Sequence, residues 1–338
     1  MHIPVMLKEA IDNLDFSKNG IWIDCTLGGG GYSQSIISKL QKMPLLGRVS
    51  EARGGLGNIL ISFDLDQSAI SNFANELEKQ GFKLVDKLYF GINRSEILIY
   101  KVLNNGLEVI LVNENFAKIK EVIEFLKLDN ILNNLKIRGM VADLGLNSDQ
   151  LDNESGFSFQ NLDQELDMRL DRNSNVKALD ILKMASVDEL VRLFEKYADL
   201  KGSYKFCKLV KDRIKDNRDL KVGGLVEIIN IAFGKNNAVK FNLHSKVFQA
   251  LRIVVNSEYD NLEGLLSSGF EVLGKFGVFE VVTFHSGEDR IVKHFFKSFE
   301  EQGLIGNDLK DQPIIPNEIE VESNNRSRSA KFRFVIKK

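Results

Sequence analysis

Short apolar runs recur along the chain, and each ends on a small, polar or acidic residue before a helical period begins. Ile21-Trp22-Ile23 runs into Asp24 and then into Gly28-Gly29-Gly30-Gly31. Ile59-Leu60-Ile61-Ser62-Phe63 runs into Asp64, and Val109-Ile110-Leu111-Val112 precedes Asn113 and Phe116. Met140-Val141-Ala142 runs into Asp143, and Val278-Phe279-Glu280-Val281-Val282-Thr283-Phe284 into His285. Continuous apolar runs separated by helical stretches predict strands of a mostly parallel sheet, covered on both faces. The alternation over residues 330–336 predicts a last strand returning to that sheet.

The strand pattern stops between Asp152 and about Asn242. Leu179, Ile181 and Leu182 with Leu190, Leu193 and Phe194 mark one apolar stripe at helical spacing, and Cys207, Leu209, Val210 and Ile214 mark another. Strands resume only at Val278, after a helix containing Phe248-Gln249-Ala250-Leu251-Arg252-Ile253. The expected architecture is an α/β sheet domain built from residues 1–149 and 245–338, with an all-helical domain inserted at 150–244 for substrate recognition.

Composition narrows this picture. A length of 338 residues suits two domains, and 43% hydrophobic residues can fill both cores. The first ten residues lack a basic stretch followed by an apolar one, and no run approaches a membrane span, so a cytoplasmic protein is expected. Cys25 and Cys207 form no paired motif, which argues against a thiolate zinc site or a disulfide framework. The net charge of −2 argues against a general nucleic-acid coat, but the charge is uneven. Residues 201–221 hold eight basic and three acidic side chains, residues 324–338 six basic and none acidic, and residues 143–171 eight acidic against one arginine. Basic runs of this kind suit either a solvated helical face or a contact to RNA phosphates.

In open α/β sheets, ligands bind beyond the carboxyl ends of the strands. Five such ends here carry candidate chemistry. At the first, glycines let backbone approach a ligand that a Cβ would exclude. The Asp-x-x-x-Gly-x-Gly spacing differs from the dinucleotide fingerprint and suits a cofactor without a pyrophosphate; no Gly-Lys-Ser or Gly-Lys-Thr follows, so a P-loop is excluded. Asp64 stands where a carboxylate accepts from ribose hydroxyls, a position that also suits a helix N-cap. Phe116 could stack on a ring or belong to the core of a chain with 23 phenylalanines. Asp143 and the amide of Asn147 face cofactor and substrate together. His285, Glu288 and Asp289 at a helix start read as a cap and an ion pair rather than a metal site, with Arg290 or Lys293 available to an RNA phosphate.

These residues resemble a known family. Met1-His2-Ile3-Pro4-Val5-Met6-Leu7, the turn from Asp24 to Ser33, Asp143-Leu144-Gly145 with Gln150-Leu151-Asp152, and Gly156-Phe157-Ser158-Phe159 are all similar to the RsmH (MraW) methyltransferases. So are Leu166-Asp167-Met168-Arg169, Phe248 to Ile253, His285-Ser286 with Glu288-Asp289-Arg290, and Arg328-Ser329-Ala330-Lys331. The matches follow the family's order over nearly the whole chain. The resemblance implies a class I S-adenosylmethionine-dependent (Rossmann-like) fold with the inserted helical domain. It implies that Gly30, Gly31, Tyr32, Asp64, Phe116, Asp143 and Gln150 line the S-adenosyl-L-methionine site. It also implies a substrate, the N4 amine of a cytidine in the decoding region of 16S ribosomal RNA within the assembled 30S subunit, with no membrane partner. A homodimer is one of the oligomeric states it allows.

The N4 lone pair is delocalised into the ring, so a positioned acceptor that draws on an N4 hydrogen and holds the nitrogen in line is the expected device. Asp143 is the catalytic candidate by position, and His285 is taken with it. The chain departs from the family where Tyr32 replaces histidine, Asn147-Ser148-Asp149 replaces two serines and a proline, Ser155 replaces arginine and Gly287 replaces leucine. Residues 42–58 and 82–108 look longer than usual and read as surface insertions. Two other functions compete. The first is methylation of DNA, protein or a small molecule, although an Asp-Pro-Pro-Tyr motif is absent. The second is binding of the cofactor or RNA without catalysis.

Overall fold

The computed structural model of the protein describes residues 4–42, 57–102, 106–132, 135–145, 156–171, 174–216 and 220–338. Among these, one sheet runs β3-β4-β5-β2-β1-β6-β7-β8. Its strands are β1 (Ile21–Asp24), β2 (Ile59–Phe63), β3 (Lys83–Phe90), β4 (Ser95–Lys101), β5 (Glu108–Val112), β6 (Ile137–Asp143), β7 (Val278–Thr283) and β8 (Lys331–Ile336). The five strands from β5 to β7 are parallel, while β3, β4 and β8 run antiparallel to their neighbours. The chain goes outward from β1 through β2 to β5, then returns to the other side of β1 with β6 and β7. The strand order therefore reverses between β1 and β6, where such sheets open a ligand crevice.

Successive side chains of a strand point to opposite faces, and the two faces have separate cores. Ile21, Ile23, Ile61 and Phe63 pack with Val122 and Ile123 of the helix Ile119–Leu128 and with Leu265 and Phe296 of the helices Glu258–Val272 and Ser286–Glu301. Trp22, Leu60 and Val109 pack instead with Ile11, Ile36 and Phe73 from the helices Leu7–Asn13, Gly31–Gln41 and Gln67–Lys79. This coverage on both faces explains why the parallel strands read as unbroken apolar runs.

Within the stretch 82–108, residues 83–101 form strands of the sheet, which reading it as a surface insertion did not foresee. β3 and β4 form a hairpin across a turn closed by the hydrogen bond from Arg94 N–H to the Gly91 carbonyl at 3.2 Å. β4 then pairs with β5 and buries Ile97, Leu98, Ile99 and Tyr100. β3 is the edge strand and most of its side chains are exposed, apolar ones such as Leu84 and Val85 included. Of the other expected insertion, residues 43–56 lie outside the described residues.

Residues 146–259 group as a second compact unit, and residues 1–145 with 260–338 as the first. The described part of the second unit is helical. Its core gathers Leu182, Leu190, Phe194, Phe206, Cys207, Val210, Leu225 and Ile229. The helix Leu243–Val255 buries Leu243, Val247, Phe248 and Leu251 in this same core. The boundary expected at 244/245 therefore falls inside a helix, and the division lies near Tyr259. Among the described residues, no helix is long and apolar enough to cross a membrane.

A buried ion pair ties β8 to the helix that follows β7. Asp289, 8% exposed, receives Arg333 Nε at 2.7 Å and Lys331 Nζ at 2.9 Å. Burial alone would push its carboxyl up, but the hydrogen bonds from Arg333 and Lys331 outweigh this and hold it below the ordinary value. Arg333→Leu is expected to lower unfolding stability by about 3 kcal/mol in a denaturant titration, because it leaves a buried carboxylate short of its partner. Replacing both Asp289 and Arg333 by apolar residues should cost much less.

Candidate cofactor site and active site

Asp24 closes β1 and is fully buried. Its Oδ2 accepts from the Ser33 N–H at 3.1 Å and the Ser33 hydroxyl at 2.7 Å, and its Oδ1 from the Thr26 N–H at 3.1 Å. Ser33 Oγ lies 2.8 Å from Ser62 Oγ on β2. One carboxylate thus holds the strand end, the glycine turn and the first turn of the next helix. Burial pushes its pKa up to about 6, against the opposing pull of the Ser33 and Thr26 hydrogen bonds.

The turn then reaches the neighbouring strands. The Gly28 N–H donates to Asp64 Oδ2 at 2.7 Å, and the Asp66 N–H to Asp64 Oδ1 at 2.9 Å. Asn113 at the end of β5 donates its amide to the carbonyls of Asp64 and Leu65 at 3.0 and 3.1 Å. On the other side, the Asp143 N–H donates to Thr26 Oγ1 at 2.7 Å, and the Leu144 N–H to the Val282 carbonyl at 3.0 Å. The ends of β1, β2, β5, β6 and β7 are thereby linked around the point where the strand order reverses.

Gly28 and Gly30 have φ of +49° and +78°, but their surroundings differ. A Cβ on Gly28 would meet nothing closer than the Thr26 carbonyl oxygen at 3.8 Å, leaving that side open. A Cβ on Gly30 would lie 2.3 Å from the Phe73 ring, and one on Gly31 2.0 Å from Pro4 Cγ. At Gly30 and Gly31 packing leaves no space for a Cβ, whereas Gly28 has open space on that side. The helix start beyond them presents backbone N–H groups, the usual anchor for an anionic group.

Tyr32 is 3% exposed, with its ring in the second core and its hydroxyl donating to the Val5 carbonyl. What it can offer a ligand is backbone. Met6 N–H donates to Glu320 Oε1 at 2.6 Å, so Tyr32, Glu320 and the Pro4–Gly31 contact together lay the segment from Pro4 to Met6 across the turn. Phe116 is half-buried at the start of a short 3-10 turn, against the first core. Asp64 is half-buried, and burial raises its pKa to about 6 against the hydrogen bonds from Asp66 and Gly28.

Asp143 closes β6 with Oδ1 buried and, among the described residues, without a hydrogen-bond partner. Burial, and then the charges of Asp24, Glu288 and Glu320, hold its carboxyl well above the ordinary value. His285 is the N-cap of the helix Ser286–Glu301 and forms a capping box with Glu288. Its Nδ1 accepts from the Glu288 N–H at 3.4 Å, its Nε2 stands 3.0 Å from Glu288 Oε1, and Glu288 Oε2 accepts from the Phe284 N–H at 2.9 Å. Both ring nitrogens thus face Glu288, which suits a positioning group at the end of β7 better than a proton carrier. Gln150, Asn147, Ser148, Asp149 and Ser155 lie outside the described residues. Thr26, Ser33, Ser62 and Glu320 support the site although sequence reasoning gave them no individual role, while Glu288 has the capping role read for it.

This architecture defines a class of protein, the Rossmann-like α/β proteins with a glycine turn and acidic strand ends at the switch point. The chain belongs to the MraW methylase family, whose model matches residues 1–338. It is 33% identical over 349 aligned residues to the Ribosomal RNA small subunit methyltransferase H 1 of Acholeplasma laidlawii (strain PG-8A), with 99% of each chain covered. Solved structures with a looser likeness include a Streptococcus mutans protein in complex with SAH (12% identity, TM-score 0.39, 100% of both chains). Another is an rRNA methylase from Streptococcus thermophilus (9% identity, TM-score 0.34, 98% of this chain and 93% of that one). Likeness at this level decides nothing about this chain.

The two glycines should respond differently to substitution. Gly30→Ala is expected to cost about 2 kcal/mol or more in a thermal or denaturant melt, from the left-handed backbone and the clash with Phe73. Gly28→Ala should cost about 1 kcal/mol for the backbone alone, and its larger effect should be weaker ligand binding by calorimetry. Equal stability losses at both positions would contradict the assignment of Gly28 to the open side.

Proposed function

We propose that this methyltransferase transfers the methyl group of S-adenosyl-L-methionine to the N4 amine of a cytidine in the decoding region of small-subunit ribosomal RNA, with the assembled small subunit as substrate. The family assignment supports the reaction class, and the likeness to the Acholeplasma ribosomal RNA small subunit methyltransferase supports the small-subunit RNA. The observation that carries the mechanism is the buried Asp143 Oδ1 beside the glycine turn, which has no hydrogen-bond partner among the described residues.

The donor set suits the cofactor. A carboxylate has about four acceptor positions, and Asp64 uses one on each oxygen for Gly28 and Asp66, which leaves capacity for ribose hydroxyls. Gly28 admits the close approach, Phe116 offers a ring for the adenine, and the backbone of Gly31 and Tyr32 at the helix start suits the carboxylate. Gln150 joins them by resemblance. When bound, S-adenosyl-L-methionine supplies a methyl group on a sulfonium, an electrophile with its leaving group already activated.

Asp143 Oδ1 accepts a hydrogen bond from the N4 amine and orients its lone pair. Its burial makes this carboxylate a stronger base than an ordinary aspartate, so it can take the N4 proton as the new C–N bond forms. A cation brought beside it favours its ionised form, against the charges of the surrounding acids, which favour the protonated one. His285 and Glu288 brace the chain where it leaves β7, and the Leu144 N–H, next to Asp143, donates to the Val282 carbonyl of that strand.

Radiolabelled methyl transfer to purified small subunits lacking the modification is expected to yield N4-methylcytidine on nucleoside analysis. Asp143→Ala should lower turnover by roughly 10²–10⁴-fold, the usual worth of a positioned acid–base group, with cofactor affinity by calorimetry changed only a few-fold. Equal losses in both would make Asp143 a cofactor residue alone.

Cofactor binding should also depend on pH through Asp64. Its carboxyl is protonated below about 6 and ionised above, and ribose hydroxyls donate to the ionised form. Affinity is expected to be flat above that pH and to fall below it, with a slope of up to tenfold per pH unit, and Asp64→Asn should remove the dependence. Persistence of the same titration in that variant would place it on another group.

A further inference from the structure

The helix Tyr204–Lys215 of the second unit buries Phe206, Cys207 and Val210 and turns its opposite face to solvent. Its cations fall into two groups. Two have structural employment. Lys211 Nζ donates to the carbonyls of Leu182, Lys183 and Ala185 at 3.2, 2.7 and 2.8 Å, closing the end of the helix Ala178–Met184. Arg213 Nη2 pairs with Glu227 at 2.8 Å. The others, Lys205, Lys208 and Lys215, together with Lys201 just before the helix, are exposed, and among the described residues none has an ion-pair or hydrogen-bond partner.

Lys205, Lys208 and Lys215 share one arc of the helix at the spacing that places side chains on a common face. They span about 15 Å along the axis at 1.5 Å per residue. Tyr204, 57% exposed, sits at the start of the same arc. Asp212 lies within the arc and Asp216 at its edge; both are exposed. A face kept merely for solubility commonly interleaves opposite charges in i,i+4 pairs. Here Asp212 is the lone acid among three lysines of the arc, and it makes no salt bridge to either Lys208 or Lys215.

We propose that this face, formed by Lys201, Lys205, Lys208 and Lys215 with Tyr204, is a docking surface for the phosphate backbone of the ribosomal RNA substrate. This rests on the reading that the substrate is that RNA. A row of exposed, uncommitted ammonium groups is a sequence-independent phosphate reader, since each cation that meets a phosphate releases condensed counterions. An exposed tyrosine beside such a row adds a surface on which an unpaired base can stack. A protein of near-neutral net charge then contacts RNA through a local track rather than through its general surface.

The test uses the full-length protein, purified small subunits lacking the modification, and a protein-free transcript of the small-subunit RNA, with binding followed against salt concentration. Replacing Lys201, Lys205, Lys208 and Lys215 together by Gln is expected to weaken binding to both probes on the order of 10–100-fold at low salt. It should also flatten the slope of log affinity against log salt by about 1 per lysine. Cofactor affinity by calorimetry and helical content should stay unchanged. Asp212→Asn should strengthen binding a few-fold, an outcome that damage to the fold cannot imitate. Unchanged affinity and salt slope in the quadruple variant, with the wild type binding both probes, would overturn the surface while leaving the substrate reading intact. Loss of binding to subunits in a protein that never binds the transcript would assign the surface to a ribosomal protein instead. A wild type that binds neither probe would remove the substrate reading itself.

Discussion

The site depends on a single buried carboxylate. Asp24 accepts three hydrogen bonds, from one N–H in the turn and from the N–H and hydroxyl of Ser33 in the next helix. Without it the glycine turn would have few reasons to hold its path, because glycine loses more conformational freedom on ordering than any other residue. With Thr26 fixed by Asp24, the hydroxyl of Thr26 can receive the Asp143 N–H. The turn at the end of β1 therefore also locates Asp143, the carboxylate proposed to act on the N4 amine. One chain of hydrogen bonds across three strands fixes both carboxylates, the kind of linkage on which a positioning mechanism depends.

The same linkage explains which parts of the site were legible in sequence. Asp24, Asp64 and Asp143 each follow an apolar run, so strand ends could be found from hydropathy and the crevice from the order of secondary elements. Gly30, Gly31 and Tyr32 were legible as a motif but not in their separate roles, because the need for glycine comes from Phe73 and Pro4, and Tyr32 turns its hydroxyl to Val5. Glu320 left no signal at all. Its partner Met6 lies 314 positions away, and one of three glutamates on a short helix has the same local pattern whether or not it holds a distant backbone.

Strands β3 and β4 were missed for a different reason. Ile97 to Tyr100 is an apolar run like the others, but it follows a hairpin turn rather than a helix, and its partner β3 is polar enough to pass for a loop. The helical unit was legible as helical because its stripes have a clear period. Its end was not, since Leu243, Val247 and Leu251 are as apolar as residues that cover the sheet, and only the fold decides which core they enter.

The acids around the turn also carry an energetic consequence. A carboxyl whose pKa rises on folding binds more protons in the native state, so its ionisation opposes folding as pH increases through that interval. For Asp24 and Asp64, raised from 3.8 to about 6, this amounts to roughly 3 kcal/mol each at neutral pH. Asp143 adds a further cost in the same direction. Glu280, buried on β7 with Asn13 as its partner at 2.8 Å, does so as well. A fold that places so many poorly solvated acids near one crevice is less stable empty than an apolar equivalent would be. The compensation has to come from a ligand that is cationic and rich in hydroxyl donors. S-adenosyl-L-methionine has both properties, with its sulfonium and ammonium charges and its ribose, so its chemistry matches the demand these buried acids make.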